Sequence, residues 1–206
     1  GSQLIARAVA EAPLEGEDSG RWLDLCAGPG GKAALMGALA RIEQATVDAV
    51  EVSPHRAELI KKTVADLPVR VHVGDGREPG LEPGFDRVLV DAPCSGLGAL
   101  RRRPEARWRK AESDIADLNE LQFELLESAL RLVRPGGVVV YSTCSPDLRE
   151  TRDIVDRAVA KLGAEELDAH TLIPDMGDVG RHKSVQMWPH RHGTDAMFFA
   201  ALRRTN

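Results

Sequence analysis

Short β-branched runs alternate along this chain with longer stretches whose apolar residues recur every three or four positions. Trp22 to Cys26 reads as a first strand, Val47 to Val52 as a second, Val69 to Val73 as a third and Phe85 to Val90 as a fourth. Lys32 to Ile42 reads as a helix opened by Gly28-Pro29-Gly30-Gly31. Ser53-Pro54 pairs an N-cap with a proline at the first helical position and predicts a helix to about Leu67. After Ser113, Ile115, Leu118, Gln122, Leu125, Ala129 and Leu132 mark one face of a long helix, which Arg134-Pro135-Gly136-Gly137 stops. Val138 to Ser142 is the fifth strand, Ser145-Pro146 predicts a helix to about Leu162, and Met197 to Leu202 a closing strand. Residues 163–196 carry no clear period. The alternation predicts an α/β fold with a mostly parallel sheet and helices on both faces.

The 206 residues suffice for one such domain with a full core and are few for two. No apolar run approaches the roughly 20 residues of a membrane span, and the start lacks a basic-then-apolar signal pattern, so a cytoplasmic setting away from membranes is expected. Three cysteines without Cys-x-x-Cys or His-x-x-x-His spacing predict reduced thiols, neither a disulfide framework nor a metal site. His182, His190 and His192 lie in the irregular stretch and read as loop residues. Net charge is −5, which argues against nucleic-acid binding until its distribution is read: residues 101–110 hold +5, leaving −10 on the rest. Arg101, Arg102, Arg103 and Arg107 are therefore candidates for phosphate contacts, with a solvated loop and helix start as an equal alternative. Trp108 beside them is a candidate for base stacking or, more commonly for a tryptophan near a helix start, a core residue.

Chemistry concentrates where strands end. Cys94 in Asp91-Ala92-Pro93-Cys94-Ser95-Gly96 and Cys144 in Ser142-Thr143-Cys144-Ser145-Pro146 each fall where the chain leaves a strand, the side of a parallel sheet at which ligands bind. Two thiols at one crevice point to covalent chemistry on an electrophile. Residues 26–32, Cys26-Ala27-Gly28-Pro29-Gly30-Gly31-Lys32, make a Gly-rich turn into a helix N-terminus. The turn fits neither the dinucleotide fingerprint, since Ala33 stands at the third glycine, nor a phosphate-binding P-loop. Glu51 at the end of strand two suits ribose hydroxyls and Asp75 at the end of strand three suits an adenine amino group. Together these strand ends favour an adenosyl ligand bearing a carboxylate. Cys144 immediately precedes a predicted helix start, which favours its thiolate, whereas Cys94 is followed by a flexible Ser-Gly-Leu-Gly loop. The nucleophile is thus expected to be Cys144, and both cysteines also fit the role of small buried residues.

In order, the stretches Asp24-Leu-Cys-Ala-Gly-Pro-Gly-Gly-Lys32, Val50-Glu-Val-Ser-Pro-His-Arg56, Gly74-Asp-Gly-Arg77, Asp91-Ala-Pro-Cys-Ser-Gly-Leu-Gly98, Arg102-Arg-Pro-Glu-Ala-Arg-Trp108, Tyr141-Ser-Thr-Cys-Ser-Pro146 and Gly193-Thr-Asp-Ala-Met-Phe-Phe199 run across nearly the whole chain. The chain resembles the catalytic domain of the RNA cytosine-5 methyltransferases, the family of bacterial RsmB (also called Fmu) and the eukaryotic Nop2/Sun proteins. It looks closest to the RsmB branch, whose substrate is 16S ribosomal RNA. The resemblance implies a Rossmann-like, S-adenosylmethionine-dependent fold with a seven-stranded sheet whose last strand is antiparallel. It implies that residues 26–32 wrap the methionine part of the cofactor, that Glu51 and Arg56 belong to the ribose end, that Asp75 holds adenine, and that Asp91 lies between cofactor and target base. It makes Cys144 the nucleophile and Cys94 the group that assists release. Glu51 stands where the family usually has Asp, and Ala196 where it usually has Gly.

Carbon-5 of cytosine is a poor nucleophile until a thiolate adds at carbon-6 and makes the ring enamine-like. A carboxyl group near nitrogen-3, here Asp91, suits the charge that develops, and the base must leave any stack to be reached. Methylation of tRNA or of DNA is the alternative, since the DNA enzymes place their nucleophile in a Pro-Cys motif at the position of Cys94. A non-catalytic, cofactor-binding rRNA assembly factor is another. The chain is expected to be monomeric and to be the C-terminal part of a longer protein whose N-terminal region supplies most of the RNA affinity.

Overall fold

The computed structural model describes residues 1–102, 104 and 112–205. Helix α1 (Ser2–Glu11) leads into β1 (Arg21–Asp24), α2 (Gly31–Ile42), β2 (Thr46–Glu51), α3 (Pro54–Thr63) and β3 (Val69–Val73). The second half runs β4 (Phe85–Asp91), α4 (Glu112–Leu132), β5 (Val133–Thr143), α5 (Arg152–Lys161), β6 (Ala164–Leu167), β7 (Val185–Met187), α6 (Pro189–His192) and β8 (Met197–Arg204). Seven strands lie in the order β3-β2-β1-β4-β5-β8-β6, and β7 pairs with β8 off that path, for eight in all. The first five pair in parallel, and β8 runs antiparallel to β5, β6 and β7.

The central strands are apolar throughout because both of their faces are covered. Successive side chains point to opposite faces. On β5, Val139 and Tyr141 join the core beneath α4 and α5, while Val138 and Val140 join the core beneath α1 and α2. Phe198 and Phe199 on β8 divide the same way. This two-sided burial makes the strand ends rigid supports for the loops beyond them.

Three expectations need correction. The helix predicted from Ser145-Pro146 begins only at Arg152, after a 3₁₀ turn at Leu148–Glu150. Ser145 Oγ accepts from the Asp147 N–H at 3.1 Å and closes only a local turn. Thr151, at φ −125° and ψ −93°, breaks any helical path, and the Glu150 carbonyl is taken by the Tyr141 hydroxyl at 2.8 Å. Next, Arg134-Pro135-Gly136-Gly137 ends α4 but lies inside β5, as an irregularity in its pairing with β4. Finally, two short strands, β6 and β7, occupy the stretch without apparent period; both pair only with β8.

Candidate active site

The chain winds outward from β1 to β3 in one direction and then returns to place β4 on the other side of β1. At such a switch point the loops leaving adjacent strands diverge and open a crevice. Here it has a volume of about 760 Å³, bordered by the loops after β1, β2, β3, β4 and β5. Of the residues expected to hold a cofactor, Cys26, Gly28, Pro29, Glu51, Arg56, Asp75 and Asp91 line it, together with Cys94 and Cys144. Ala27, Gly30, Gly31 and Lys32 lie behind that lining, although the Lys32 ammonium reaches the Asp91 carboxylate at 2.6 Å.

At the β2 end, Glu51 is buried and its Oε1 accepts from the Ser53 N–H at 2.7 Å and from Arg56 Nε at 3.0 Å. A Cβ at Gly28 would overlap Glu51 Oε2, so the glycine is what lets the loop after β1 approach this carboxylate. Arg56 therefore acts through Glu51, by fixing its orientation. Asp75 is gripped in the same local way: Arg77 donates to it from Nη2 at 2.6 Å and from its own N–H at 2.9 Å. Those hydrogen bonds hold the Asp75 carboxyl below its ordinary range.

Asp24 was not singled out from sequence, because an acid opening the Gly-rich motif reads as part of the turn. It is buried, one oxygen accepts from the Cys26 N–H at 3.3 Å, and Oδ2 has no partner. Burial, and then the negative charge of Asp91, push its pKa to about 7. A buried carboxylate in this state suits a ligand that brings positive charge. Burial also raises the Cys26 thiol well above its ordinary range, which keeps it protonated.

Asp91 ends β4 beside Ser142 of β5 in the parallel register, and Ser142 Oγ donates to Asp91 Oδ1 at 2.8 Å. With Lys32 on the other oxygen, the carboxylate is fixed from both sides. Ser142 was legible only as strand. Beyond Asp91, Cys94 Sγ and Cys144 Sγ lie 3.4 Å apart. Their hydrogen bond divides them: donation from Cys94 lowers the Cys144 thiol, and the same bond, with burial, holds Cys94 far above the usual thiol range. The sequence reason for a Cys144 thiolate, a helix start beside it, is absent: the next helix begins at Arg152, and the Cys144 sulfur instead meets Cys94.

The loop after Cys94 is also not the flexible element expected. Residues Leu97–Ala99 form a 3₁₀ turn, the Gly98 N–H donates to the Cys144 carbonyl at 2.9 Å, and the Ala196 N–H donates to the Gly98 carbonyl at 2.9 Å. Ala196 is not among the residues at positive φ, so alanine serves where glycine was expected. Of the basic segment, Arg101 is exposed and the Arg102 guanidinium is bound to the Asp195 carboxylate, while Arg103, Arg107 and Trp108 lie outside the described residues. Among the described residues no group of three or more His, Cys, Asp or Glu is placed to hold a metal ion, and no helix is long and apolar enough to cross a membrane.

Residues 11–203 match the profile of the family described as 16S rRNA methyltransferase RsmB/F. A Mycobacterium tuberculosis protein named as a methyltransferase is 58% identical over 205 residues, which are 99% of this chain and 45% of that protein. The ribosomal RNA small subunit methyltransferase B of Erwinia tasmaniensis is 36% identical over 93% of this chain and 43% of its own length. The crystal structure of NSun6 from Pyrococcus horikoshii with SFG superposes with a TM-score of 0.83 at 26% identity, covering 100% of this chain and 52% of that one. The chain spans less than half the length of these two curated relatives.

Proposed function

The chain belongs to the RsmB/F family of 16S rRNA methyltransferases, and on that premise we propose that it methylates carbon-5 of a cytosine in 16S rRNA through a covalent adduct to Cys144. S-adenosylmethionine is its cofactor and supplies, when bound, a methyl group on a positively charged sulfur. The residues present fit that group: Glu51 offers a fixed carboxylate to ribose hydroxyls, Asp75 lies at the adenine end, and the unpartnered oxygen of Asp24 suits a cationic methionine portion.

The observation that carries the reading is the 3.4 Å approach of Cys94 and Cys144 at the mouth of the same crevice. The Cys144 thiolate forms a bond to carbon-6 and the ring electrons move toward carbon-5, which becomes the nucleophile. A proton taken up at nitrogen-3 and returned on release offsets the negative charge that thiolate addition places on the ring, and Asp91, fixed by Lys32 and Ser142, accepts from the polar edge that bears it. Once Cys144 is bonded to carbon-6 it no longer takes the Cys94 hydrogen bond, so Cys94 gives that proton to solvent and then takes the hydrogen from carbon-5. As that C–H bond breaks, the electrons restore the ring double bond, the C–S bond opens, and Cys144 leaves as a thiolate. The cycle releases one proton in all. RNA docking draws on a region outside this chain, in keeping with its acidic balance.

Mixing the Cys94→Ala protein with S-adenosylmethionine and unmodified small-subunit RNA tests the assignment. A denaturation-resistant protein–RNA adduct that maps to Cys144 and a cytosine is the expected result. An adduct in Cys144→Ala instead would reverse the two thiols.

A further inference from the structure

We propose that Glu150 is a positioning residue that fixes the turn carrying Cys94, an inference that rests on the role of Cys94 given above. Glu150 is fully buried, and its carboxylate accepts from the Ser95 N–H at 2.7 Å and from Ser95 Oγ at 2.5 Å. The buried Gln122 amide of α4 donates to the same carboxylate at 3.1 Å and to the Pro93 carbonyl at 2.9 Å. The residues on either side of Cys94 are therefore both tied to one buried polar pair. The Glu150 main chain is tied in turn to β5, three residues before Cys144, by the Tyr141 hydroxyl.

Burying a carboxylate costs several kcal/mol, and a neutral apolar packing of similar volume would serve stability as well or better. What an apolar replacement would lack is direction: three donors converging on one carboxylate hold the backbone around Cys94 in a single geometry. That geometry sets the distance between the thiols.

Glu150→Gln keeps the shape but exchanges one acceptor for a donor, and Ser95→Ala removes one of the three bonds to the acid, together with the 3.4 Å contacts of Ser95 Oγ with Ser145 Oγ and the Leu97 N–H. Both are compared with wild type and Cys94→Ala in two measurements. The first is the pH profile of Cys144 alkylation by iodoacetamide, read by mass spectrometry. The second is adduct formation on small-subunit RNA. We expect Glu150→Gln to bind S-adenosylmethionine within about twofold of wild type, to move the Cys144 profile to higher pH as Cys94→Ala does, and to accumulate adduct with Cys94 present. Turnover should fall about 10- to 100-fold, and Ser95→Ala should go the same way by less. A folded Glu150→Gln with wild-type profile and turnover overturns the proposal, as does joint loss of cofactor binding and adduct, which would mark a purely structural acid. If Glu150→Gln does not fold, Ser95→Ala decides on the same criteria. If Cys94→Ala itself neither shifts the profile nor traps RNA, the role of Cys94 fails rather than that of Glu150 alone.

Discussion

At the β1–β3 end of the crevice each acid is held by residues close in sequence, Glu51 by Ser53 and Arg56 and Asp75 by Arg77. At the β4–β5 end the holding groups come from far along the chain: Glu150 on Ser95, Gln122 on Pro93, Gly98 on Cys144, Ala196 on Gly98. The first set is partly exposed and local; the second is largely buried and long-range. Local clamps suit a small ligand that must enter and leave, because they form with their own loop and yield separately. The thiols face a different demand. Their chemistry depends on a separation between two strands, and only contacts that cross the fold can set it.

The sharpest way to break this contrast is at the thiols. Cys144→Ser should abolish adduct formation and lower methyl transfer by on the order of 10⁴-fold or more, measured with labelled cofactor, while cofactor binding at the far end persists. Gly98→Ala comes next. A Cβ there would overlap the Ala196 carbonyl oxygen, a backbone group without freedom to yield. We expect a loss of about 3 kcal/mol in chemical denaturation together with loss of turnover. Gly28→Ala meets only the end of the Glu51 side chain, so its stability should stay near wild type while cofactor affinity drops.

Asp24→Asn probes the buried acid at the end of β1, whose Oδ2 has no hydrogen-bond partner. Its folded pKa of about 7 lies above the ordinary value of 3.8, so the folded state binds the proton more tightly than the unfolded chain. The stability this contributes is full below pH 4 and is lost as the pH rises to about 7. Without cofactor, Asp24→Asn should therefore exceed wild type by roughly 4 kcal/mol at pH 8 and converge with it near pH 4. Arg77→Ala should be the mildest: its ion pair with Asp75 is about half exposed, so unfolding should shift by less than about 1 kcal/mol. A larger shift would place the local clamps among the groups that hold the fold.

The same contrast decides what the sequence reveals. The central strands were legible because burial on both faces leaves an unbroken β-branched run, as in Val138 to Tyr141. Glu51 and Asp75 were legible because their partners are neighbours and strand ends carry the ligand loops. β7 was not, since three residues with a polar Gln186 at their centre carry no period of their own and depend on β8. Glu150 was hidden for a related reason: three residues beyond Asp147, it looks like an acid in the first turn of a helix. In the structure it turns inward toward Ser95 and Gln122, and the helix starts only at Arg152. Gln122 sat correctly on the buried face of α4, but its amide is there to bind polar groups rather than to fill space.

The position of β8 gives the chain an order of assembly. This strand lies between β5 and β6, and its lead-in residue Ala196 is pinned to Gly98, yet it is the last strand of the sheet to leave the ribosome. Until then β5 has an unpaired apolar edge, of the kind that invites aggregation. The turn bearing Cys94 also lacks one of its anchors. A nascent chain thus acquires the close approach of its two thiols only once β8 has been made, and one that stops before β8 is left with an exposed edge for quality control to recognise.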